Sequence, residues 1–123
     1  HLNRTTEYGV SFERGAYIDF ADRRQVLISG TASIDNRGNV QYPYDIRRQV
    51  KRMTENVEVL LAEAGCNWSH VQVIIIYLRD ISDRRIVELY LQKHFAHIPH
   101  ILTYARVCRS GWLVEMECMA IKN

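Results

Sequence analysis

The sequence predicts an α+β fold with the order β-β-α-β-α-β-β, one sheet carrying two helices on one face. Three observations predict it. The hydrophobic period along the chain changes from two to between three and four, and back. A continuous β-branched run, VQVIIIYL (Val71 to Leu78), separates two amphipathic segments. The 123 residues, 47% of them hydrophobic, suffice for one core and are too few for two comfortable ones. A single domain over residues 1–123 is therefore expected.

GAYIDFADRRQVLISGTASI reads as two short strands joined at Ala21 to Arg24, with Tyr17, Ile18, Val26, Leu27 and Ile28 as β-favouring residues. DNRGN (Asp35 to Asn39) is turn chemistry, because Asn and Gly accept positive φ. From Asp45, the expected N-cap, Ile46, Val50, Met53, Val57, Leu60, Leu61 and Ala64 step by threes and fours as a buried helical stripe. Gly65 is placed to end that helix, and Arg47, Arg48, Lys51 and Arg52 lie mostly off the stripe as a solvated basic face. The run Val71 to Leu78 predicts a strand covered on both faces. A second helix is expected from the N-cap Ser82, with Ile86, Leu89, Tyr90 and Phe95 as contacts and Pro99 closing it. The last strands are Ile101 to Val107 and Trp112 to Ile121, joined by the turn-like CRSG. With no third helix, the second sheet face calls for a subunit partner.

Composition excludes more than it selects. Net charge is +2, too small to argue for nucleic acid, and no RNP motif, KH loop or phosphate loop occurs. The longest apolar run is far too short to span a bilayer, and HLNRTTEYGV at the start lacks an apolar h-region, so neither membrane insertion nor a signal peptide is expected. The missing initial Met fits a chain trimmed or excised from something longer. Three cysteines, none in C-x-x-C, read as reduced thiols of a cytoplasmic protein.

The stretch HFAHIPHILTYARVCRSGWLVEME holds the residues suited to chemistry. His94, His97 and His100 are three apart, but Pro99 interrupts them, and no i, i+4 pair suits a zinc hydrolase. No metal is expected. Glu115 and Glu117 alternate with Val114, Met116, Cys118 and Ala120, which puts the two carboxylates on one strand face about 7 Å apart. Spacing alone leaves two readings open, a solvated outer face or an acid/base pair with one carboxyl partly buried. Cys108 stands near Arg106 and Arg109, which favours a thiolate, yet no Cys–His–Asn spacing marks it as a nucleophile.

Several motifs in order resemble the YjgF/RidA superfamily, also called endoribonuclease L-PSP. They are ISGTAS, then Gln49, Glu55 and Asn56, EAG (Glu63 to Gly65), YLRD (Tyr77 to Asp80), LYLQKHF, Pro99 and VEMECMA. The resemblance runs from about Gly9 to Ala120. It implies a chorismate-mutase-like fold, a homotrimer with clefts between subunits, no cofactor, and hydrolysis of enamines and imines to 2-keto acids and ammonia. It also implies that Glu115 positions water. The family's carboxylate-clamping arginine, in a P-A-R motif, falls here on His100 or Ile101, and Ser11 stands where its N-terminal tyrosine would lie. GVSFERG, GNVQYPYDIRRQ and VCRSGWLVEME are similar to the YjgF-like domain of chorismatases, of which this chain would match the C-terminal part. There Glu115 would protonate an enol ether.

The expected ligand is a small anionic metabolite. Glu115 is the candidate catalytic residue, and Arg106, Arg109, Tyr104, Cys108 and Ser11 are the candidate binding residues. Arg106 or Arg109 would replace the lost anchor, with Tyr104 on the same strand face as Arg106. A trimer that binds metabolites without catalysis is the alternative that the missing arginine favours.

Overall fold

The computed structural model describes residues 14–106 and 111–123. Strands β1 (Gly15–Asp19) and β2 (Arg24–Thr31) lead to helix α1 (Ile46–Glu63). Strand β3 (Val71–Leu78), helix α2 (Arg84–His94), and strands β4 (His100–Tyr104) and β5 (Val114–Lys122) follow. The predicted order stands, with short 3-10 turns added at Trp68–His70 and Ile81–Asp83.

The five strands form one sheet in the order β1-β2-β5-β3-β4. Only β3 and β4 run parallel, because α2 crosses between them, while the other pairs are antiparallel. One sheet face, with Val26, Ile28, Ile74, Ile76, Leu78, Val114, Met116, Cys118 and Ala120, is buried in a single core with α1 and α2.

Helix α1 follows its sequence closely. The Asp45 carboxylate accepts the Arg48 N–H, and Gly65 takes φ +76 just past the last turn. Arg24 Nη1 donates to the Ala64 carbonyl (3.1 Å) and Lys122 Nζ to the Gly65 carbonyl (2.7 Å), so two cations meet the negative end of the helix. Ile46, Val50, Met53, Val57, Leu61 and Ala64 are buried, but so are Gln49, Thr54 and Asn56, which the apolar stripe does not include.

Four expectations change. Ser82 does not cap α2: Asp80 accepts the Ser82 N–H and opens the 3-10 turn instead, and Asp83 precedes the helix without a side-chain cap. The buried stripe of α2 is Val87 and Leu91, with Ile86 and Tyr90 beside it, while Leu89 is 48% exposed. That helix ends at His94, well before Pro99, where the Phe95 N–H returns to Leu91 O. Among the described residues β3 is covered on one face only, and Val73, Ile75 and Tyr77 stay half-buried on the other. Its β-branched run specifies a strand, but the described residues cover only one of its faces.

Candidate functional site

Period-two alternation in β5 sends Val114, Met116, Cys118 and Ala120 under the helices and Glu115, Glu117 and Met119 to the uncovered face. Both glutamates are half-buried there. Tyr77 pairs with Glu115 in register, and Ile75 with Glu117. The Tyr77 hydroxyl has its pKa raised by desolvation, then by its interaction with Glu117 and the charge of Glu115.

On the other side of β5, β2 contains a register shift: Ile28 pairs with Cys118 and Thr31 with Met116, so Ser29 and Gly30 together oppose Glu117. Such a bulge re-aims side chains and bends the strand. At Gly30 an added Cβ would lie 3.0 Å from Glu115 Oε2, so the missing side chain is what lets the carboxylate lie over this backbone. Next to it, a hollow of about 410 Å³ is walled by Leu27, Val73, Ile75 and Met119, with Glu117 among its lining residues.

The predicted residues divide between the faces. Glu115 sits on the uncovered face as expected. Tyr104 pairs with the buried Leu78, which places it on the helix side, near Arg84 and away from the Glu115 face. Arg106 is exposed and lies beyond the end of β4, so strand alternation does not carry it onto a face with Tyr104. Ser11, Cys108 and Arg109 lie outside the described residues. Of the two positions for the family arginine, His100 pairs with buried Ile74 on the helix side, whereas Ile101 pairs with Ile75 on the Glu115 face. His94 stacks on Tyr90 (4.4 Å between centroids), apart from His100 in β4. Among the described residues, no three His, Cys, Asp or Glu side chains gather as a metal site.

Sequence reasoning did not single out Tyr77, Gly30 or Arg79 as site residues. Gly30 carried a local signal, an isolated glycine inside a strand, which often marks a bulge or a close approach. Arg79, just after β3, donates its N–H to Leu113 O (3.0 Å) and its Nε to Trp112 O (2.8 Å), tying it to the chain that enters β5.

Comparison with known proteins agrees with this architecture. A RutC family protein of Pyrococcus abyssi is 28% identical over 80% of this chain and 79% of its own. Another, from Saccharolobus solfataricus, is 30% identical over 80% and 79%. The Bos taurus 2-iminobutanoate/2-iminopropanoate deaminase is 26% identical over 81% of this chain and 74% of its own. The crystal structure of the Escherichia coli YjgF gene product superposes with a TM-score of 0.76 over the full length of both chains at 16% identity, which speaks for the fold alone. The sequence pattern of the endoribonuclease L-PSP family matches residues 13–122, and the chain belongs to that family.

Proposed function

We propose that this protein hydrolyses small enamine and imine intermediates to 2-keto acids and ammonia. The observation that carries this reading is the Glu115 carboxylate, lying over Gly30 on the uncovered sheet face with Tyr77 across from it. A half-buried carboxylate on that face is placed to take a proton from water. In the reaction, water oxygen bonds to the imine carbon while Glu115 accepts its proton. That proton passes to nitrogen to give a carbinolamine. Glu115 then takes the hydroxyl proton and delivers it to the amine, so that the carbon–nitrogen bond breaks and ammonia leaves as the carbonyl forms.

Substrates of this class carry a carboxylate, which needs a cation. Ile101 supplies none, so we assign the anchor to Arg106 or Arg109. The uncovered face, with Leu27 45% and Ile101 56% exposed, is the surface we assign to neighbouring subunits of a homotrimer, whose clefts would hold the ligand. Some relatives bear the deaminase name at 26% identity, which supports the reaction class more than any one substrate.

The test generates 2-imino acids in situ with an amino-acid oxidase and follows their loss with wild type and Glu115→Ala side by side. Acceleration by wild type alone is the expected result. Equal acceleration by both would remove Glu115 from the chemistry. No acceleration by either would overturn the reading in favour of a metabolite-binding trimer, which the substitution of Ile101 for arginine favours, and chorismate would be the next ligand to try.

A further inference from the structure

Two buried amides on α1 meet the backbone at both walls of the Glu115 site, although they lie on the other side of the sheet. Gln49 is fully buried. Its Nε2 donates to Tyr42 O (2.9 Å) and Gly111 O (2.8 Å), and its Oε1 accepts the Leu113 N–H (2.9 Å). Asn56, 6% exposed, donates from Nδ2 to Ala32 O and Ile34 O, both at 3.0 Å. The two residues are seven apart, hence on one face of the helix, two turns from each other.

Their partners are not scattered. Leu113 is two residues before Glu115, at the entry to β5. Ala32 is two residues after Gly30, at the exit of β2. Arg79 holds the same β5 entry from β3, through Trp112 O and Leu113 O. The Gln49 bonds also secure the turn through Tyr42 and Tyr44, whose φ values of 55 and 60 are unfavourable for tyrosine and persist only where the surroundings over-determine them.

We infer that Gln49 and Asn56 are positioning residues. From the helix they set the separation between Gly30 and the Glu115 carboxylate, and so aim the group to which the proposed hydrolysis is assigned. The inference rests on that reading only for its kinetic consequence. Its geometric claim stands on the hydrogen bonds alone.

The test compares wild type with Gln49→Met, Gln49→Glu and Asn56→Leu, with exposed Glu58→Gln as control. Two readouts need no turnover: the Glu115 carboxyl carbon resonance and amide exchange at Leu113. The Glu115 resonance should move in all three variants and stay in the control. Leu113 exchange should accelerate at least about tenfold in Gln49→Met, which loses the acceptor, and much less in Gln49→Glu, which keeps it. Where imine turnover is present, kcat should fall about 10- to 100-fold with KM changed less than about threefold, since a small misplacement of a reacting group acts on the chemical step. If Gln49→Met does not fold, Gln49→Glu and Asn56→Leu decide by the resonance. An unmoved Glu115 resonance in folded variants overturns the inference, as does an unchanged kcat where turnover exists. If wild type shows no turnover while the resonance moves, the proposed reaction fails and the positioning claim survives.

Discussion

The two faces of β5 show how one strand divides its labour. Under the helices, Val114, Met116 and Ala120 are fully buried and Cys118 nearly so. On the other face, one residue away in each case, Glu115 and Glu117 are half-buried beside Tyr77. Apolar contact on the first face stabilises the fold. The second face keeps two carboxylates that a stability criterion alone would not select, since burying charge costs free energy. Substitutions on the two faces should therefore act on different quantities.

The largest effect on stability should come from Met116→Ala, which removes a fully buried side chain between Thr31 and Ile76. It should lower the unfolding free energy by about 2–5 kcal/mol in urea titration. Glu115→Gln should do the opposite. Stability should change by no more than about 1 kcal/mol, while imine turnover falls by about 10²–10⁴-fold. If Glu115→Gln unfolds the protein and leaves turnover per folded molecule intact, the division between faces is wrong. Gly30→Ala should be milder, about tenfold in kcat. Its methyl group would press on Oε2 at 3.0 Å, and the carboxylate, at the end of a flexible side chain, can yield by a few tenths of an ångström.

Thiol chemistry sharpens the same contrast. Burial pushes the Cys118 thiol up to about 12, so it should resist alkylation at pH 8 in the folded protein and react once urea unfolds it. Peptide mapping of the alkylated chain distinguishes Cys118 from the other two cysteines. Rapid labelling of Cys118 without denaturant would mean that the helix-covered face opens readily.

What the sequence made legible follows from the range of the physics involved. The alternation in β5 and the caps at Asp45 and Gly65 are local, and each is where the sequence places it. The start of α2 is also local, but Asp80, Ser82 and Asp83 compete for the same backbone groups, and Asp80 prevails. The face of Tyr104 is not local, because it depends on the parallel register with β3. Gln49 and Asn56 were visible as polar residues in a helix and as members of the family pattern, neither of which says what they hold. Their role requires carbonyls up to 62 positions away, which periodicity does not encode.

The smallest predicted effect lies at the surface and concerns pH. The Asp19 carboxyl is held below the usual range by its hydrogen bonds with Arg24 at 2.6 and 3.0 Å, Asp35 by the Asn39 and Arg37 N–H groups, and Asp80 by Ser82. For a depressed carboxyl, the unfolded chain binds the proton first. Each such group therefore contributes stability above the ordinary Asp pKa of about 4, and loses it as pH falls through the lower folded value. Asp83 has the opposite sign: desolvation, then the Asp80 charge, raises its pKa, so its contribution becomes less favourable as pH rises through the same region. Acidification therefore removes the contributions of Asp19, Asp35 and Asp80, while that of Asp83 moves the other way. Asp19→Asn should flatten the acid limb of a urea-midpoint profile below about pH 4 and leave the midpoint at pH 7 little changed, because exposed ion pairs contribute little. An unaltered acid limb would assign acid sensitivity to the other carboxylates.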